Sequence, residues 1–216
     1  EYSADAGVSW TTFVDGTSTA TSATVTGLTN GTGYVFRVKA TNAAGIGVAS
    51  ASSASVTPST VPAAPGSVVA SPGEARVALS WAAPSNNGGS AITGYTVTAA
   101  PDGATCTTAS TSCVVEGLVN GTEYTFTVVA TNAAGDGVES AELSVTPYTL
   151  PGAPTAVVGV SGDSQVELSW LAPGVDGGSA VTGYKVEYSA DAGDTWTEFA
   201  TGVAGATVDV TSLTNG

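Results

Sequence analysis

Cys106 and Cys113 are the only sulfur-bearing side chains in the 216-residue chain, which has no Met. Two thiols so close in sequence could form a disulfide or act as a reactive pair. A reactive pair needs cationic neighbours to hold the thiolate, and nothing basic lies nearby in sequence, so a structural disulfide is the expectation. His is absent, which removes the commonest general base and the commonest metal ligand. No Ser-His-Asp set, metal-ligand spacing or phosphate-binding loop occurs. No catalytic residue, metal ligand or cofactor is therefore expected, and the chain reads as non-enzymatic.

Charge narrows the partners. Eighteen acidic residues against four basic ones give a formal charge of −14. Nucleic acid and anionic membranes need Lys and Arg to meet phosphate, so neither is an expected partner. The acidic residues are scattered and form no run, as on a solvated surface. No apolar run reaches the length of a membrane span, so membrane insertion is not expected. The absence of Met fits a processed or interior fragment without a signal peptide of its own. Charged residues make up 10% and apolar residues 42%, and Thr and Val are prominent. That is the composition of an ordered strand-rich chain.

The elements that must carry these residues repeat. Leu28 to Gly45 returns at Leu118 as LVNGTEYTFTVVATNAAG, ninety positions later. Gly178 to Tyr184 repeats Gly89 to Tyr95, and EYSADAG opens both the first and the last thirty or so residues, each ending in LTNG. Fixed-period self-similarity marks an array, and a period of about 90 suits a small all-β domain. The expected division is a C-terminal part of one domain over 1–58, a complete domain over 59–147 and an N-terminal part of a third over 148–216. In the complete repeat Val77, Leu79 and Trp81 alternate with Arg76, Ala78 and Ser80. Tyr95, Val97 and Ala99 alternate with Thr96 and Thr98, and Tyr124, Phe126, Val128 and Ala130 with Thr125, Thr127 and Val129. Period two places one face on a core and one toward solvent. Clusters such as Pro84 to Gly89, Pro101-Asp102-Gly103 and Asn120-Gly121 separate the runs as turns.

The order Pro65, Trp81, Pro84, Gly94-Tyr95, Gly117-Leu118, Tyr124, Ala130 to Gly135 and Val145-Thr146-Pro147 resembles a fibronectin type III domain, and it recurs piecewise along the chain. The resemblance implies tandem seven-stranded immunoglobulin-like β-sandwiches. It implies that Trp81 and Trp170 are core tryptophans of the second strand. It also implies that Leu28 with Tyr34, and Leu118 with Tyr124, form tyrosine corners. Some animal relatives carry Arg-Gly-Asp before the last strand. Here the loop reads Ala133-Ala134-Gly135-Asp136-Gly137, so integrin binding is not carried over.

Aligned with the other repeats, Cys106 takes the place of Trp10 and Trp196, and Cys113 that of Ala23 and Val208. A disulfide would then clamp the hairpin that a tryptophan clamps elsewhere, and it places the protein outside the reducing cytosol. Ser189 to Trp196 fits S-x-D-x-G-x-T-W and resembles the Asp-box, a hairpin-turn device in which Asp accepts turn amides and Trp packs beneath. Trp10 and Trp196 are expected to pack over the sheet, with sugar stacking as the alternative. Asn30 and Asn120 sit in glycosylation sequons that also read as tight turns. The joints Thr57 to Pro65 and Thr146 to Pro154 are proline-rich, hence semi-rigid. The expected role is a structural segment of a secreted or cell-surface protein, a fibre or spanning stalk. Its partners would be adjacent repeats or other copies of itself. The alternatives are an accessory spacer or carbohydrate-binding segment of a polysaccharide-degrading enzyme, or an adhesin stalk.

Overall fold

A computed structural model describes residues 1–14, 16 and 18–214, and every regular element among them is a strand. The first segment carries β1 (Tyr2–Ser3), β2 (Val35–Phe36), β3 (Lys39–Asn42) and β4 (Gly45–Ala49). The complete repeat carries β5 (Gly66–Gly73), β6 (Arg76–Ala82), β7 (Ile92–Ala100), β8 (Ala104–Thr108), β9 (Ser112–Glu116), β10 (Tyr124–Asn132), β11 (Gly135–Asp136) and β12 (Leu143–Val145). The last carries β13 (Thr155–Gly162), β14 (Gln165–Leu171), β15 (Tyr184–Tyr188), β16 (Thr197–Val203) and β17 (Thr207–Thr211).

In the complete repeat one sheet runs β5-β6-β9 and the other β11-β10-β7-β8, with β12 also on β10. Counting β11 and β12 as one interrupted strand gives seven strands in a β-sandwich. The alternation read from the sequence sets the faces. Along β6, Val77, Leu79 and Trp81 are buried while the residues between them are exposed. Along β10, Tyr124, Phe126, Val128 and Ala130 are all fully buried. β7 and β10 pair antiparallel, with Val97 opposite Val128 and Tyr95 opposite Ala130. Branched and aromatic side chains suit this half-buried pleated surface. The Trp81 and Tyr95 rings meet edge to face at 5.4 Å, and Trp170 and Tyr184 repeat that contact at 5.2 Å in the last segment. Neither indole N–H has a hydrogen-bond partner among the described residues, so packing alone holds the two rings.

Both tyrosine phenols close their corners. The Thr29 N–H donates to Tyr34 Oη at 3.0 Å, and the Val119 N–H to Tyr124 Oη at 3.1 Å. Leu118 is buried beside its corner, whereas Leu28 is half-buried.

Cys106 and Cys113 are bonded, with Cα atoms 6.4 Å apart. Their setting differs from the expected hairpin clamp. β8 pairs with β7, whereas β9 belongs to the sheet of β5 and β6. The bridge therefore ties one sheet to the other across the short connection at 109–111. Alternation shows which residues face inward but not which sheet a strand joins.

The chain falls into two compact units. One comprises Glu1–Ala70, Leu79–Cys113 and Thr125–Leu143; the other comprises Ser71–Ala78, Val114–Tyr124 and the segment from Ser144 onward. Each unit contains one of the two proline-rich joints. In the second unit, β13-β14-β17 form one sheet and β15-β16 another. Trp170, Val186 and Val210 form its small core, with Leu168, Phe199 and Leu213 partly buried against it.

Candidate functional site

Among the described residues, no group of three His, Cys, Asp or Glu side chains is placed to hold a metal. Two other constructions recur instead: a joint between repeats and an acidic turn.

The joint is built from backbone. The Asn86 and Asn87 side-chain oxygens accept the N–H groups of Gly88 and Gly89 at 2.8 and 2.9 Å, folding the Gly-Gly pair into a tight turn. Both glycines have positive φ, 71° and 84°. An L side chain is strained there, but crowding is the stronger constraint. A Cβ on Gly88 would overlap the Thr60 carbonyl, and one on Gly89 would overlap the Gly31 amide. The Asn30-Gly31 turn of the first segment thus lies directly on the Gly88-Gly89 turn of the next repeat. A Cβ on Gly31 would stand 3.1 Å from the Gly89 Cα. The linker is tied at both ends: the Gly31 N–H donates to the Pro58 carbonyl and the Thr60 N–H to the Gly88 carbonyl, both at 2.9 Å.

The second joint, inside the other unit, copies the first. The Gly121 N–H donates to the Pro147 carbonyl at 2.9 Å, and the Thr149 N–H to the Gly177 carbonyl at 2.8 Å. Asp176 Oδ1 accepts the Gly178 N–H at 2.9 Å, the role Asn87 plays in the first joint. A Cβ on Gly121 would stand 3.1 Å from the Gly178 Cα, and one on Gly177 would overlap the Thr149 carbonyl. Two independent joints with the same donors, acceptors and close approaches define one docking geometry.

Asn132 locks the first linker to its own repeat. It is buried, and its Nδ2 donates to the carbonyls of Thr60 at 2.8 Å and Asn87 at 2.7 Å, while its Oδ1 accepts the Ala134 N–H at 2.8 Å. All the hydrogen-bonding capacity of its amide but one lone pair is thereby engaged. The sequence reading missed both Asn132 and the second role of the glycines. Their signal was the recurrence of Asn-Gly at 30–31 and 120–121 and of Gly-Gly at 88–89 and 177–178, which local turn chemistry already explained. Asn120 of one sequon is structurally engaged too: its Oδ1 accepts the Ala75 N–H at 2.8 Å.

The acidic turn also occurs twice. Asp191 accepts the Thr195 N–H at 2.8 Å and the Ser189 hydroxyl at 2.7 Å, together with the Thr195 hydroxyl. Asp5 does the same with Ser9 and Ser3. These donors stabilise the carboxylate. The Thr195 hydroxyl, then the Ser189 hydroxyl, bring Asp191 down to about 2, and the Ser3 and Ser9 hydroxyls hold Asp5 well below the ordinary range. Both oxygens of each carboxylate accept hydrogen bonds from the turn itself, so these carboxylates shape a loop.

The two tryptophans after these turns diverge. Trp10 is half-buried, donates its indole N–H to the Gly7 carbonyl at 3.0 Å and carries the Arg37 guanidinium 4.0 Å above its ring. Trp196 is 63% exposed, so the expected packing over the sheet does not occur there.

The Fibronectin type III domain profile matches residues 1–56 and 63–146. Exoglucanase B of Cellulomonas fimi is 33% identical over 85% of this chain and 20% of its own length. Chitinase A1 of Niallia circulans is 41% identical over 55% of this chain and 18% of its own. Human Myomesin-2 is 33% identical over 89% and 14%. The chain thus spans a fifth or less of each of these longer relatives. With two sheets in the order β5-β6-β9 and β11-β10-β7-β8, core tryptophans, closed tyrosine corners and a profile match over most of its length, the chain belongs to the fibronectin type III family.

Proposed function

We propose that this chain is a non-catalytic spacing segment of a longer extracellular protein, holding successive domains at a fixed separation and direction, as a stalk or fibre does. The observation that carries the reading is the joint that occurs twice with the same contacts. A linker meant only to connect would tolerate side chains and vary between copies. Here four glycines are fixed by backbone overlap, and the linker carbonyls and amides are bonded to the repeats on either side. Its partners are then adjacent repeats or further copies. The inter-sheet disulfide suits an oxidising compartment, which supports a secreted or cell-surface location.

Backbone amide relaxation tests this. The amides of Ser59, Thr60, Val61 and Ala63, and of Tyr148, Thr149, Leu150 and Gly152, should be as ordered as those of β6 and β7. Order parameters in the flexible range at both joints would overturn the reading.

The relatives favour a second version of the same role, an accessory spacer in a secreted polysaccharide-degrading enzyme, because two of them are named Exoglucanase B and Chitinase A1. The exposed Trp196 offers one aromatic face, too little for a sugar platform by itself. Co-sedimentation with cellulose and with chitin decides that point. A pure spacer stays in the supernatant, whereas retention lost in Trp196→Ala would assign carbohydrate binding.

A further inference from the structure

Asparagine followed by glycine is chemically the least durable pair in a protein chain. The following backbone nitrogen attacks the Asn side-chain carbon, and glycine, with no side chain, hinders that attack least. Among the described residues the pair stands at 30–31, 87–88 and 120–121, each time in a turn that builds a joint. The Gly31 and Gly121 nitrogens are the attacking atoms at the first and last of these. Each donates instead to a linker carbonyl, that of Pro58 or Pro147, at 2.9 Å. Each is also covered by the next repeat: a Cβ on Gly89 would overlap the Gly31 nitrogen, and one on Gly178 the Gly121 nitrogen. The turns are closed by the Thr32 N–H on the Thr29 carbonyl at 3.3 Å and the Thr122 N–H on the Val119 carbonyl at 3.2 Å. The Asn120 side chain is tethered as well, since its Oδ1 accepts the Ala75 N–H. On the facing turn of the first joint Gly88 is buried, with its N–H on Asn86 Oδ1 at 2.8 Å.

We propose that Asn30 and Asn120 are modification sites gated by the joints, held as amides while two repeats are docked and deamidated when they part. In the reaction the Gly nitrogen bonds to Asn Cγ and gives up its proton. The Cγ–Nδ2 bond breaks, and Nδ2 leaves with that proton as ammonia. Water then opens the cyclic imide at either carbonyl, leaving aspartate or isoaspartate. Water is the only co-reactant, and nothing is oxidised or reduced.

Isoaspartate carries the main chain through the side-chain carbon and lengthens it by a methylene. The joint has no room for that. A Cβ on Gly31 would stand 3.1 Å from the Gly89 Cα, and one on Gly121 equally close to the Gly178 Cα. An opening that lasts long enough for the reaction is thereby made permanent. The rate follows the fraction of time the joint is open, as for any chemistry confined to an opened state. The inference rests on the docked joint that carries the spacing role, and adds that docking preserves the residues that build it.

Peptide mapping by mass spectrometry during incubation at mildly alkaline pH tests this. Asn30 and Asn120 should convert at least about tenfold more slowly in the 216-residue chain than in synthetic peptides of residues 26–36 and 116–126, the order of effect of one backbone hydrogen bond. This comparison needs no substitution, so it stands even where a variant loses its fold. Gly89→Val should speed conversion at Asn30 and leave Asn120 unchanged, and Gly178→Val should do the reverse, so each variant carries its control in the other joint. Peptide-like rates in the unsubstituted chain, with joint amides ordered by relaxation, would overturn the gating and leave the spacing role standing. Mobile joint amides would overturn both. Rates unmoved by either substitution, or raised equally at both sites with the thermal transition retained, would also overturn the gating.

Discussion

The segments 34–42 and 124–132 read YVFRVKATN and YTFTVVATN, yet they fold to different extents. The second is one nine-residue strand paired with β7, β11 and β12; the first breaks into β2, paired with β1, and β3, paired with β4, while residues 50–56 meet it through single backbone bonds from Ser50, Ser53 and Val56. Val128 is 0% exposed and Val38 is 73% exposed. Asn132 is buried and holds two carbonyls, whereas Asn42 is exposed and caps only the Ala44 amide. The same contrast separates β9, a strand beside β6, from residues 22–26, which align with it in the repeat and, among the described residues, form no strand and pair with none. Alternation therefore encodes which side chains would face a core. Neighbouring strands decide whether the core exists.

The sharpest way to test that contrast is to cut the same residue in both settings. Trp81→Ala should cost about 3–5 kcal/mol, since it empties a large site in a closed core. Trp170→Ala should cost less, because the side chains around Trp170 are mostly only partly buried and part of its cavity opens to solvent. Urea unfolding of the two variants checks the order, and equal losses would break the comparison.

Asn132→Ala should cost about 1–3 kcal/mol by leaving buried carbonyls unpaired, while Asn42→Ala should be near neutral. Tyr124→Phe should cost about 1 kcal/mol through one hydroxyl. Tyr34→Phe removes the same kind of hydrogen bond and should cost a similar amount, because this contact is local and needs no neighbouring strand. A much larger loss at Tyr124 would show that the corner depends on the surrounding sandwich.

The smallest effect concerns pH. Asp191 is lowered to about 2 when folded, so the unfolded chain binds its proton more readily. The stabilisation is then fully present above the ordinary carboxylate value near 3.9 and disappears as pH falls toward 2. A carboxyl titration followed by NMR should show Asp191 still ionised at pH 3. Asp191→Asn should flatten the acid limb of the stability curve in this turn.

Much of the fold was legible in the residues. The alternation of Val77, Leu79 and Trp81, and the spacing of Leu118 and Tyr124, set faces and corners because these depend on neighbours in sequence. The placement of β9 in the other sheet was not legible, since the short connection after β8 can turn either way. Trp196 was misjudged because the turn motif sets where the ring stands and not what lies over it, and over Trp10 it is the sequence-distant Arg37 that does so. The joint was hidden for a similar reason. Asn30-Gly31 and Gly88-Gly89 are complete turns by local chemistry, and only their meeting gives them a second task.

The central claim is that this meeting fixes the direction of one repeat on the next. Spin labels at Ala51→Cys and Ser110→Cys, both exposed and on opposite sides of the first joint, would report it by electron double resonance. A fixed direction gives one narrow distance distribution, with marked broadening in Gly89→Val, whose side chain cannot coexist with the Gly31 amide. A broad distribution in the unsubstituted joint, or no change in Gly89→Val, would contradict it.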